Sequence, residues 1–167
     1  MFEKISSPSF DRILPDFEIG GVALDGVIDA DRYAALLLDF GRKDDVFVFG
    51  RSGYDEARFA ADRESYGDRS FREWSVAKIA PEHLIVHEMH RTPANVFSLC
   101  CQLASDLSKR IEGAGVREMA FIISMTPAGE GLDQDAYTFR LVTGREGVEE
   151  FAVIMGDQPQ IVLVRGL

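Results

Sequence analysis

The chain has 167 residues, of which 46% are hydrophobic and 28% charged, enough apolar material for one buried core and too much for a disordered segment. Eighteen basic residues against 28 acidic ones give a formal charge of −10, a field that repels nucleic-acid phosphates and anionic membrane surfaces and favours a basic partner. No apolar run approaches the roughly 20 residues of a bilayer crossing, no secretory signal opens the chain and no composition shift marks a linker, so the expectation is one soluble, cytoplasmic domain over residues 1–167.

In chain order, residues 17–24 read as a strand, and Asp29 reads as the cap of a helix over 30–40 closed by Gly41. Residues 46–49 resemble a buried strand. Residues 54–65 have weak helical spacing, and residues 71–79 form a strand candidate joined to a following one through Ala80, Pro81 and Glu82. The clearest element starts at Thr92-Pro93, a hydroxyl cap followed by proline at the first helical position. Val96, Cys100, Leu103, Leu107 and Ile111 then recur at helical spacing, with Ser98, Gln102, Ser105, Lys109 and Glu112 on the opposite face and Gly113 and Gly115 as terminators.

Beyond that helix the period changes to two. Residues 118–125 are almost continuously apolar, as a central strand buried on both faces would be. Tyr137, Phe139 and Leu141 alternate with polar residues, Phe151, Val153 and Met155 do likewise, and residues 161–164 complete the series, with short turn-rich gaps between. The fold class read from this pattern is α+β. One long amphipathic helix, about 93–113, packs on a C-terminal antiparallel four-strand meander, and the topology of the N-terminal α/β half is left open.

Three histidines, His83, His87 and His90, fall within eight residues, with Glu88 among them. On a helix opened by Pro81 they share one face and would present imidazoles to a divalent transition metal, whereas on a strand His90 points away from the other two. The β-branched pair Ile85 and Val86 favours the strand, and the spacing is not that of the His-Glu-x-x-His zinc motif. Gly50-Arg-Ser-Gly53 follows a strand candidate, but its second glycine comes one residue early for a nucleophile elbow at Ser52. Arg51, Arg58, Arg63, Arg69, Arg72 and Arg91 alternate with aromatic residues as an anion site would, yet interspersed carboxylates make a solvated, ion-paired face the simpler account.

The longest hairpin loop expected, residues 126–135, carries Glu130, Asp133 and Asp135, three carboxylates suited to a basic partner but without the spacing of a calcium loop. Asp25, Asp29 and Asp31 are accounted for in part by helix capping and the helix dipole. Cys100 and Cys101 are adjacent in the helix, where neighbouring side chains diverge, so they read as core residues in a reducing compartment.

No dinucleotide fingerprint, phosphate loop, zinc ribbon or kinase signature is present, which moves weight away from an enzyme. The leading expectation is a non-catalytic acidic protein that binds a basic protein partner, of inhibitor, immunity or chaperone type, needs no cofactor and can pair with itself as a homodimer. The alternative is a small metal-dependent hydrolytic enzyme using His83, His87 and His90, with Glu88 as ligand or general base. A third reading is a carrier whose cavity is lined by Phe139, Phe151 and Met155.

Overall fold

The computed structural model describes residues 1–43, 46–50, 77–112, 114, 116, 118–129, 131–143 and 157–166. Its centre is a five-stranded antiparallel sheet in the order β1-β7-β5-β6-β4, formed by β1 (Glu3–Ser6), β4 (Lys78–Ile79), β5 (Glu118–Thr126), β6 (Ala136–Thr143) and β7 (Gln160–Gly166). The expectation of an α+β fold with one long helix on an antiparallel sheet is met. β5 is central, with Phe121 opposite Leu141 on one neighbour and Leu163 on the other.

The near-continuous apolar run of β5 has a direct cause: both of its faces are buried. Met119, Phe121, Ile123 and Met125 join the large core with the helix, while Ala120 and Ile122 join Val142, Val162 and Val164 in a second cluster on the other face. The pairing of β7 differs from a simple meander. It lies on the far side of β5 from β6 and is flanked by β5 and β1. The strand expected around 151–155 lies outside the described residues.

The long helix, Pro93–Ile111, forms as its sequence dictates. Thr92 Oγ1 accepts from Asn95 N–H at 3.3 Å, and Pro93 occupies the first turn, where no N–H is required. Glu112 closes it through its backbone N–H, while Gly113 and Gly115 lie outside the described residues. Its buried arc is wider than one stripe: Ser98, Leu99 and Cys101 are buried along with Val96, Cys100, Leu103, Leu107 and Ile111. The sheet covers one side and the first half of the chain another, which is why the expected polar position Ser98 is inside.

Two N-terminal elements were not evident in the sequence, β1 and the helix Pro8–Ile13 (α1). Asp29 caps the next helix, Ala30–Leu38 (α2), by accepting from Arg32 N–H at 3.1 Å. This helix stops at Leu38, before Phe40, and Gly41 opens the hairpin of β2 (Gly41–Lys43) and β3 (Val46–Val48) instead of capping a helix. Phe49 joins the hairpin to the main sheet through an edge-on contact with Phe139, and the long helix, the third among the described residues, is labelled α3.

Two expectations in the first half are corrected. Residues 17–24 are not a strand: Gly20 takes φ +81°, Gly21 N–H bonds Glu18 O, and of the apolar residues there only Phe17 is buried. The segment after β4 is not a strand either, because Pro81 opens a 3-10 turn over Pro81–Leu84, followed by one bridge between Ile85 and Ile28. The helical segment expected at 54–65, and most of the strand expected at 71–79, lie outside the described residues.

Candidate functional site

The histidine triad does not assemble on one face. His83 sits in the 3-10 turn Pro81–Leu84, and His87 caps a separate turn, Glu88–His90. Between them Ile85 takes an extended conformation and is buried in the core, which breaks the continuous helix that the shared face requires. His87 and His90 are neighbours, with ring centroids 6.0 Å apart, while the carbonyl of His83 accepts from Arg32 Nη1. Among the described residues no three His, Cys, Asp or Glu side chains are gathered to hold a metal ion.

The carboxylates of the β5–β6 loop also divide. Asp135 Oδ1 accepts from Ala128 N–H at 2.8 Å and so braces its own loop, which Gly129 and Leu132 close with a bridge. Asp133 is exposed, and Glu130 lies outside the described residues. Ser52, the arginines from Arg51 to Arg72, Phe151 and Met155 lie outside them as well. Of the carrier's expected lining only Phe139 is described, and it is fully buried core.

A different region gathers surface features. Residues 14–29 connect α1 to α2 with no helix or strand among them, a 16-residue connection of a length that usually carries function or is disordered. It is held down at a few points. Phe17 packs edge-on against Phe10 (5.6 Å) and Phe97 (6.3 Å), Lys4 Nζ donates to Phe17 O at 3.1 Å, and Val86 N–H bonds Val27 O. The segment carries Asp16, Glu18, Asp25 and Asp29 and neither lysine nor arginine.

Two depressions flank this connection. A groove of about 350 Å³ is lined by Leu14, Phe17, Val22 and Ala94, which are buried or half-buried, and by the exposed carboxylates of Asp16 and Glu18. Ile13, 39% exposed, also lines it, and Ile19, 43% exposed, lies next in sequence to Glu18. A second depression of about 290 Å³ is lined by Leu24, Asp25, Gly26, Ile28, Tyr33 and Gln102. Beside it Tyr33 Oη donates to Asp106 Oδ2 at 2.9 Å, and burial, reinforced by that carboxylate, pushes the Tyr33 hydroxyl well above the ordinary tyrosine range.

The chain matches no family model, no curated protein and no solved structure.

The remaining titratable groups of note are inside. Burial drives the Cys100 thiol far up, with Cys101 and Glu82 adding to the shift, and it pushes Cys101 up to about 12 against the pull of Lys4. Both thiols are therefore protonated at neutral pH and are poor nucleophiles. Glu82 and Tyr137 form a buried polar contact that sequence reasoning missed. Glu82 Oε1 accepts from Tyr137 N–H at 3.4 Å, while Oε2 is buried without a partner among the described residues. Burial, then the Asp135 and Glu82 carboxylates, raises the Tyr137 hydroxyl. Neither group lines the two depressions, so the accessible chemistry of this region is apolar contact with anionic margins.

Proposed function

We propose that the chain is a non-catalytic interaction protein that binds a basic protein partner, with residues 14–29 as the contact surface. The observation that carries this reading is the conjunction, in one connection, of the exposed carboxylates of Asp16, Glu18 and Asp25, no basic residue and two flanking depressions. A net charge of −10 supplies long-range attraction for such a partner, and the apolar lining supplies short-range contact. The cytoplasmic placement belongs to the same reading, supported by two adjacent free thiols in the core. A homodimer through the described sheet edges has less support, since β1 carries Glu3 and Lys4 and β4 is two residues long, both devices that discourage edge pairing.

The test is capture from lysate of the native host by the whole chain and by the variant Asp16→Lys, Glu18→Lys, Asp25→Lys. The expected outcome is a basic protein retained by the unaltered chain, lost with the variant, and released as salt rises towards 1 M, where the screening length falls to about 3 Å. Retention of the same proteins by both forms would sink the proposal.

A further inference from the structure

We infer that the groove formed by residues 13–22 with Ala94 seats one large apolar side chain of the partner, flanked in the partner by lysine or arginine residues that meet Asp16 and Glu18. This deepens the proposed function and rests on it. The division of the lining carries the inference. Leu14, Phe17, Val22 and Ala94 are the less exposed residues, while the carboxylates are exposed, so an occupant meets hydrocarbon inside and negative charge outside.

At about 350 Å³ the groove is near the lower end of ligand pockets, which span about 300–1,000 Å³, and is sized for a side chain rather than a folded element. A free small molecule is a poorer fit, because tight small-ligand sites enclose most of the ligand surface and this groove opens to solvent along Asp16, Glu18 and Gly21. Two cations of the chain lie beside the lining residues, Lys4 at Phe17 and Arg12 next in sequence to Ile13. Lys4 donates to the Phe17 carbonyl and lies 5.8 Å from the Phe17 ring, and Arg12 is exposed at the end of α1.

Ala94 stands in the first turn of α3, where the helix dipole is positive, so an incoming cation is disfavoured on that side and favoured on the carboxylate side. The arrangement thus gives the bound segment a direction: apolar side chain towards Ala94, basic neighbours towards Asp16 and Glu18.

The probe is a display library of random twelve-residue peptides, selected on the full chain and re-measured individually by fluorescence anisotropy. Selected peptides are expected to carry one Leu, Ile, Met, Phe or Trp between basic residues. Ala94→Trp, which fills the groove, and Val22→Arg, which places a cation in it, should each weaken them about 10- to 100-fold, the affinity equivalent of burying one such side chain. Circular dichroism of both variants establishes that they fold. Basic peptides without an apolar anchor, indifferent to both variants but lost with Asp16→Lys and Glu18→Lys, would overturn the apolar seat and leave the proposed function standing. Peptides with no basic enrichment, or indifferent to the charge reversals, would overturn both.

Discussion

α3 and the connection 14–29 touch through the ring of Phe97, yet they are built on opposite terms. In the helix, Val96, Phe97, Cys100, Leu103, Leu107 and Ile111 have no exposed surface, and their spacing follows the helical period. In the connection, Phe17 is the one apolar side chain brought to the threshold of burial, and its neighbours Asp16, Glu18 and Ile19 are exposed. One region buries its apolar residues in the core; the other rests Leu24, Val27 and Ile28 half-buried against that core and leaves Asp16, Glu18 and Ile19 exposed. Local stability differs accordingly, because a segment with few buried contacts opens at lower free energy than the core it rests on.

Phe97 is the place to break that contrast, since it meets Phe10 at 4.7 Å, Phe17 at 6.3 Å and Tyr137 at 6.1 Å. Phe97→Ala should cost about 3–5 kcal/mol in urea denaturation, the usual range for emptying a buried phenylalanine site. Amide exchange in residues 14–29 should rise in step with global unfolding. Phe17→Ala should instead speed exchange in the connection while leaving the sheet amides protected. Equal loss of protection in sheet and connection for Phe17→Ala would show that they form one cooperative unit.

Alkaline pH sharpens the same comparison, because the groups with raised pKa values lie in the packed region or at its border. Cys100, Cys101 and Tyr137 are in the core, and Tyr33 bridges α2 to α3 through Asp106. A folded pKa above the unfolded one means that the native state holds protons the unfolded chain releases. The stability involved is complete below the ordinary thiol value of 9.0 and is lost as pH rises towards about 12 for Cys101. Unfolding free energy should therefore fall above pH 9 with a slope of up to about 1.4 kcal/mol per pH unit for each participating group. Cys101→Ala should make that slope shallower. A stability flat from pH 8 to 11 would mean that these groups titrate alike in both states.

The contrast also explains what the sequence made legible. Periodicity needs several turns or strand residues to register, so the 19-residue α3 and the nine-residue β5 were readable, as was the burial of β5 on both faces. β1 and α1 span four and six residues, too few to display a period. The 17–24 segment read as a strand, but Gly20 at positive φ turned it into a loop, and tertiary contacts fixed the rest. The groove at residues 13–22 was illegible for a related reason. Ala94 is distant in sequence from Leu14 and Val22, and only the packing of Phe17 on Phe97 brings them to one place. Acidic bias in residues 14–29 was the available signal.

A fainter signal was present in the sequence at Ser7-Pro8, the same hydroxyl-proline start that marks α3 at Thr92-Pro93. The two caps are chemically alike and structurally unequal. Thr92 Oγ1 accepts from Asn95 N–H alone among the described contacts. Ser7 Oγ accepts from Phe10 N–H at 3.2 Å and from Gln160 N–H at 3.0 Å, and donates to Gln158 O at 3.0 Å, tying α1 to the start of β7. Thr92→Ala should therefore cost about 1 kcal/mol, the typical value for a lost cap. Ser7→Ala should cost about 2 kcal/mol or more, since it adds an unsatisfied donor at Gln160, which is 4% exposed. Denaturation midpoints of the two variants measure the difference. Equal losses would show that Ser7 acts as a helix cap and nothing more, and that α1 is held to the sheet by the ring contacts of Phe10.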